Sequence, residues 1–151
     1  MPLTDFFDVI EFNDVFRISY LANAIVIPAY EEVQRDFGLK RGEYLLLACL
    51  SLLPVLTAQD VATMTRRPRN TISRAVNKML AEEYIVRAPD PDDRRQLKLS
   101  ITPSGRALHK KIAQRFVTRQ EKILSVLSAK ERKSLDGLLN KLVRHAATLD
   151  I

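Results

Sequence analysis

The chain has few of the residues that form covalent cross-links or carry out catalysis. Its 151 residues include one cysteine, two histidines, four glycines and no tryptophan. Cys49 cannot form an internal disulfide, and its apolar neighbours indicate a buried, inert thiol in a reducing compartment. His109 and His145 show no metal-ligand spacing, and no glycine-rich phosphate loop is present. The sequence therefore favours a protein that is not an enzyme and has no metal or cofactor.

Signals for export or membrane insertion are also missing. The N-terminus is acidic where a secretion signal needs basic residues. The apolar, uncharged run at residues 44–56 contains Pro54 and is too short to span a bilayer. We expect a cytoplasmic protein that does not enter the membrane. The length and the 46% of hydrophobic residues predict one globular domain over residues 1–151.

Positive charge is concentrated after the first 36 residues. Residues 1–36 carry 2 basic and 7 acidic groups, a net charge of −5, and the remainder carries 22 basic and 11 acidic groups, a net charge of +11. Residues 66–74 contain four arginines and no carboxylate. Such a segment attracts phosphate, although a solvated helix surface is the alternative interpretation.

Apolar periodicity and capping residues predict a series of helices. Residues 6–37 are apolar around most of the helix circumference, which indicates a second packing surface such as a subunit interface. Pro28 is expected to kink this helix, and Gly38 to end it. Residues 41–53 form a short buried helix. Thr57 opens a capping box and a helix to about residue 64.

The next predicted helix, residues 69–83, has two distinct faces, and Pro68 suits its first turn. Its buried stripe is Ile72, Ala75, Val76, Met79 and Leu80. The opposite stripe is Asn70, Ser73, Arg74 and Asn77. Asn and Arg side chains make paired hydrogen bonds to adenine and guanine edges. The flanking residues, better placed for phosphates, are Arg66, Arg67, Arg69, Thr71 and Lys78.

Alternating apolar and polar residues then predict a two-stranded hairpin, with strands at residues 84–87 and 97–101. The acidic half of the intervening loop can pair internally, which leaves Arg94 or Arg95 to project. An arginine on a projecting hairpin suits a narrow minor groove, and a solvated tip is the alternative.

Two helices complete the chain. Thr102 and Pro103 open a helix to about residue 124, with Ile112, Phe116 and Ile123 inside and His109 on a solvated face. Ser128 starts a capping box for the last helix, which carries the apolar stripe Leu135, Leu138, Leu139, Leu142, Val143 and Ala146.

Four motifs in this order resemble the MarR family of bacterial regulators. The motifs are Leu56-Thr57-Ala58-Gln59-Asp60-Val61-Ala62, Thr71-Ile72-Ser73-Arg74-Ala75-Val76, Asp90-Pro91-Asp92-Asp93-Arg94-Arg95 and Leu99-Ser100-Ile101-Thr102-Pro103-Ser104-Gly105-Arg106. The resemblance is clear over about a third of the chain. Arg66 and Pro68 depart from the resemblance, because relatives usually have a turn glycine and a Ser or Thr cap there. This leaves the base preference open.

The resemblance implies a mainly α fold with a small β-hairpin wing, in which a winged helix-turn-helix at 41–101 is flanked by dimerisation helices at 1–37 and 103–151. It implies a homodimer that binds double-stranded DNA at a palindromic operator as a transcriptional regulator, which we expect to be a repressor. Arg94, with Arg95 as its neighbour, would be the wing arginine. A small aromatic effector is a further expectation, for which the candidate pocket residues are Phe16, Tyr20, Tyr44 and Phe116, with a core role as the alternative.

Two other interpretations remain open. A thiol-based redox-sensing regulator would need an accessible cysteine of low pKa, unlike Cys49 among its leucines. A helical protein-interaction adaptor would use the apolar first helix for a foreign partner.

Overall fold

The computed structural model describes residue 2 and residues 5–150, and most of these residues are helical. In chain order the elements are α1 (Phe6–Val9), α2 (Asn13–Phe37), α3 (Arg41–Leu52), α4 (Ala58–Thr65), α5 (Arg69–Ala81), β1 (Ile85–Pro89), β2 (Leu97–Ile101), α6 (Pro103–Leu124) and α7 (Ala129–Ala146). The predicted fold, mainly α with one hairpin, is confirmed. The chain forms two compact units, Met1–Phe116 and Val117–Ile151, so a single domain over the whole chain stays a prediction.

The predicted first helix is interrupted near its start. Ile10 has an extended backbone, and α2 begins only at Asn13. The break lets α1 pack its aromatic rings on α2, with the Phe6 and Phe16 centroids 5.7 Å apart. Helix α2 then continues through Pro28 to Gly38, which has a left-handed φ of 70° and donates its N–H to Gln34 O. The predicted glycine cap is confirmed.

The core of the first unit forms around α3. Leu46, Leu47 and Leu50 are fully buried, because this short helix is enclosed by α2, α5, the hairpin and the start of α6. Each buried leucine stabilises the fold by about 1.5–3 kcal/mol relative to an exposed one. This central position explains why α3 lacks the polar face of a surface helix.

The hairpin is antiparallel, and its register runs from Ile85 opposite Ile101 to Pro89 opposite Leu97. Leu56 also pairs with Leu99 through two backbone hydrogen bonds of 3.1 and 2.7 Å. The sequence did not predict this bridge, which attaches the segment before α4 to the inner strand of the hairpin.

The second unit contains the end of α6 and α7. Ser128 and Glu131 form the predicted capping box, and Arg132 donates to both carboxylate oxygens of Glu121 at 2.9 Å. Much of the apolar stripe of α7 is exposed in the described residues: Leu138, Leu142 and Val143 are 55–66% exposed. Ile123, predicted to lie inside, is 40% exposed. These side chains need a second surface to become buried.

Candidate nucleic-acid interface

Helices α4 and α5 are joined by a tight turn that sets the start of α5. Thr57 Oγ1 accepts from the Asp60 N–H at 3.1 Å, and Asp60 Oδ2 accepts from the Thr57 N–H at 2.8 Å. Helix α4 ends at Arg66, whose φ of 51° lies in the left-handed region. A side chain there costs about 1–2 kcal/mol relative to glycine. Pro68 precedes α5 as its N-cap residue, one position before the predicted first turn.

Helix α5 has the two faces that its spacing predicts. On the buried face, Ile72 and Met79 are fully inaccessible and Ala75 and Val76 nearly so. The exposed face consists of Asn70, Ser73, Arg74 and Asn77. Its first turn contains no acidic residue. An open depression on this surface is lined by Arg69, Asn70, Ser73 and Arg74. The arrangement offers amide, hydroxyl and guanidinium groups to a ligand from one rigid helix.

The residues that flank this face differ in their surroundings. Lys78 Nζ donates to Gly38 O at 2.7 Å and contacts the buried carboxylate of Glu43 at 3.0 Å. Its ammonium therefore pairs within the fold, and its predicted phosphate contact stays a prediction. Thr71 is half-buried, and its methyl group lies beside Gly42, where an added Cβ would be 3.2 Å away.

Arg67 also turns towards the interior. Its Nε is buried and has no hydrogen-bond partner among the described residues. Burial raises the pKa of the Tyr30 phenol, and the charges of Arg41 and Arg67 oppose that rise. The charge of Arg67 thus acts on Tyr30 of α2, and its predicted phosphate contact stays a prediction.

The wing loop buries Asp90, whereas Asp92 and Asp93 are exposed. Asp90 is 7% exposed and accepts from the Asp92 N–H at 2.9 Å. This bond and the nearby charge of Lys98 lower the pKa of Asp90 despite its partial desolvation. Asp93 accepts from the Arg95 N–H at 3.1 Å. The predicted internal pairing is confirmed, and the side chains of Arg94 and Arg95 remain exposed.

The wing and the start of α5 border one cleft. It is lined by Thr57, Ala58, Gln59, Arg69, Arg95, Gln96 and Leu97. Two guanidinium groups that lie 26 positions apart in sequence thus border the same surface. Sequence reasoning missed Gln59 and Thr57 here, and it missed Lys40, which lines a second depression together with Arg74. For Lys40 the signal available was an exposed polar residue directly before a helix.

The four candidate pocket residues do not form one cluster. The rings of Tyr44 and Phe116 are stacked, with centroids 5.2 Å apart and planes at 8°. Phe16 and Tyr20 instead contact the rings of α1 and Phe12. Tyr20 lies ten residues before the Tyr30 that touches Tyr44, a distance of about 15 Å along a helix. The predicted four-residue pocket is therefore corrected to two separate aromatic clusters.

His109 joins the second cluster, not the predicted solvated face. Its ring is stacked on Tyr44, with centroids 5.7 Å apart and an interplanar angle of 12°. Nε2 lies 3.2 Å from Ser51 Oγ, and Nδ1 is buried with no partner among the described residues. Burial, aided by the charge of Arg106, lowers the pKa of His109. Nothing in the local sequence indicated a partner 58 residues away.

Other chemistries have little support in the described part of the chain. Cys49 is 8% exposed, and burial raises the pKa of its thiol, which is the opposite of what a redox sensor needs. No group of three or more His, Cys, Asp or Glu side chains within residues 2 and 5–150 could hold a metal ion. Every helix in those residues is too short or too polar to cross a bilayer.

Several known proteins are similar to this chain. A Bacillus subtilis HTH-type transcriptional regulator, YybA, is 27% identical over 130 residues, covering 85% of this chain and 86% of that protein. A transcriptional regulatory protein for the hcr operon of Thauera aromatica is 32% identical over 107 residues, covering 71% of this chain and 64% of that protein.

Solved structures show the same fold. A MarR-family regulator from Silicibacter pomeroyi aligns with a TM-score of 0.76 at 22% identity, covering 89% of this chain and 92% of that one. The regulator BldR from Sulfolobus solfataricus aligns with a TM-score of 0.77 at 20% identity, covering 95% and 99%.

A family profile matches this chain, and the match covers the segment that carries the candidate nucleic-acid interface. Residues 37–96 match the MarR family profile, and this range includes α4, α5 and the wing loop. Proteins of this family are regulators of transcription, a class that is not generally enzymatic. Over residues 37–96 the chain matches the MarR family, and its HTH-type relatives identify it as a DNA-binding transcriptional regulator.

Proposed function

We propose that this protein acts in the cytoplasm as a homodimeric repressor that binds a palindromic operator and is released by a small aromatic effector. In each protomer α5 enters the major groove and the wing arginines reach the minor groove. The exposed face of α5 carries the proposal, because Asn70, Ser73, Arg74 and Asn77 lie together on a helix whose other face is fully anchored.

The geometry of α5 supports its proposed role in base reading. Base contacts specify sequence, whereas phosphate contacts fix position. The exposed stripe projects amide and guanidinium groups from a helix held rigidly by Ile72 and Met79. A helix of this width fits the major groove of B-DNA, and arginine pairs with the O6 and N7 atoms of guanine. Arg74, at the middle of the stripe, is the residue we expect to select a base pair.

Dimerisation is supported by apolar surface that the chain leaves uncovered. On α2, Val15 and Ile18 are 63% and 58% exposed, and on α7 Leu138 and Val143 are 61% and 66% exposed. Apolar stripes on both helices favour a second copy of the chain as their cover. A two-fold dimer on B-DNA predicts half-sites about 10 bp apart or a multiple of that spacing.

Selection from a random duplex pool tests the proposal, followed by affinity measurements on single base-pair variants of the selected site. Arg74→Ala should lose about 1–3 kcal/mol, and the loss should depend on one base pair in each half-site. Arg144→Ala is the matched control, because this exposed arginine of α7 bonds only to Asn140 in the described structure. A uniform loss across all sequences would make Arg74 a phosphate contact.

The wing has its own test on the selected site. Arg94→Ala should weaken binding most where the flanking sequence is rich in A·T pairs, since a narrow minor groove concentrates negative potential. Equal affinity of this variant and the wild type on such flanks would remove the wing from the proposal. Light scattering during size exclusion tests the dimer, and a monomer would favour the adaptor interpretation.

The effector part of the proposal has a separate test. Tyr44 is only 6% exposed and already stacked between Phe116 and His109, so an aromatic ligand would have to displace one of these rings. Titration of the DNA complex with benzoate-class acids should release the duplex if such an effector acts. If no acid of the series changes the affinity for the duplex, the effector part of the proposal is refuted and the DNA-binding part stands.

A further inference from the structure

A depression on the side of α5 combines residues from two helices. It is lined by Lys40, Gly42, Glu43, Thr71, Arg74 and Ala75. The start of α3 lies against α5 here, because a Cβ on Gly42 would be only 3.2 Å from the Thr71 methyl carbon. The exposed Lys40 is therefore held beside the DNA-reading helix, 34 positions before Arg74 in the sequence.

The charges around this depression are not balanced. Glu43 is the one acid that lines it, and its carboxylate is 6% exposed. Glu43 Oε1 accepts from the Lys40 backbone N–H at 2.7 Å and from Lys78 Nζ at 3.0 Å. Lys78 thus matches the charge of Glu43. The side chains of Lys40 and Arg74 have no recorded partner among the described residues, and two cations remain beside a shallow surface.

We propose that Lys40 contacts a backbone phosphate at the edge of the major groove, next to the base pair that Arg74 reads. The inference rests on the proposed DNA binding by α5 and adds a residue outside the helix-turn-helix. Lys40 is then a positioning residue: a phosphate contact fixes how α5 enters the groove and carries no base preference of its own. Because α3 packs closely on α5 at Gly42, the bound phosphate would lie at a fixed distance from the exposed face of α5.

Salt dependence separates this role from base reading. Each neutralised phosphate contributes about 0.9 to the slope of log affinity against log salt. Lys40→Ala should lower that slope by about 0.9 for each bound protomer. Between 50 and 200 mM salt, the wild-type advantage over Lys40→Ala should shrink about 3.5-fold for one protomer, or about twelvefold for a dimer that uses both lysines.

The experiment measures binding to a labelled duplex of about 30 bp carrying the selected site, for the wild type, Lys40→Ala, Arg74→Ala and Lys141→Ala. Lys141 is an exposed lysine of α7, so its loss matches the charge change of Lys40→Ala. The Lys40 variant keeps the backbone bond to Glu43, and an unchanged melting curve checks that it folds. The loss should be equal on all single base-pair variants of the duplex.

The outcomes distinguish the two proposals. If the wild type binds and Lys40→Ala leaves the salt slope unchanged, the phosphate contact is refuted and DNA binding stands. A loss confined to one base pair also refutes the phosphate contact. If the wild type shows no salt-dependent binding to any duplex, the proposed function fails and this inference fails with it.

Discussion

Gly105 lies where helix α6 leaves the hairpin, and a methyl group added there has no room. An ideal Cβ would be 2.1 Å from Tyr84 O and 3.0 Å from Ile101 Cγ1. The first neighbour is backbone, and it already accepts from the Thr102 N–H at 3.1 Å. Thr102 Oγ1 in turn accepts from the Gly105 N–H at 3.1 Å. Relief of the clash requires movement of about 1 Å in a junction fixed by these hydrogen bonds.

The size of the effect follows from two opposing contributions. Overpacking of this kind costs about 1–3 kcal/mol, and a clash with backbone belongs at the upper end. Alanine in a helix recovers about 1 kcal/mol relative to glycine. Gly105→Ala should therefore lower the free energy of unfolding by about 2 kcal/mol or more. At roughly 2–4 °C per kcal/mol, the melting temperature should fall by about 4–8 °C.

Gly137 provides the matched control on α7. Nothing lies within 4 Å of a Cβ built there, and the residue faces away from the apolar stripe of that helix. Gly137→Ala should raise the free energy of unfolding by up to about 1 kcal/mol. Both variants are melted at one protein concentration, since association shifts apparent stability. A Gly105→Ala protein as stable as the wild type would refute the close approach of α6 to Tyr84.

Three further predictions concern buried groups. Burial lowers the pKa of His109, so the unfolded chain takes up a proton at this residue first as the pH falls. The contribution of His109 to the free energy of unfolding should be full above about pH 6.5 and decline below it. His109→Phe keeps the ring stacking, and an unchanged decline in this variant would contradict the prediction. Lys78→Met should cost about 1–3 kcal/mol in urea unfolding by leaving the Glu43 carboxylate without its cation, and Glu43→Gln added to it should recover part of the loss. Cys49 should react with a thiol reagent far more slowly in the native protein than in denaturant, and rapid native modification that releases DNA would restore the redox interpretation.

Local patterns were enough to predict most elements. The 3.6-residue spacing of Ile72, Ala75, Val76 and Met79 identified both faces of α5, because all four side chains lie on one side of the helix and are buried in the core. Strand β2 was predicted at its observed bounds from five alternating residues. The capping boxes at Thr57 and Ser128 marked two helix starts, since each cap is complete within four residues.

Predictions that depended on a distant partner fared worse. Lys78 was predicted to lie near phosphate because it flanks the exposed stripe, and nothing in its own helix indicated that its ammonium bonds to Gly38 and Glu43, 40 and 35 positions earlier. His109 was assigned to solvent because its neighbours are lysines, yet Tyr44 and Ser51 enclose it from α3. Periodicity states which side of a helix is buried and carries no information about which helix covers it.

The same limit explains why the exposed stripe of α5 was predicted well and the residues that support the helix were not. Residues that contact an external ligand must be exposed on the surface of the chain, so Asn70, Ser73 and Arg74 can be recognised from the spacing of their own helix alone. The residues that fix the angle of that helix are paired, as Lys78 is with Glu43 and as Thr71 is packed on Gly42. Changes at these paired positions should alter affinity for all duplexes together, whereas changes on the stripe should alter the ranking of duplexes.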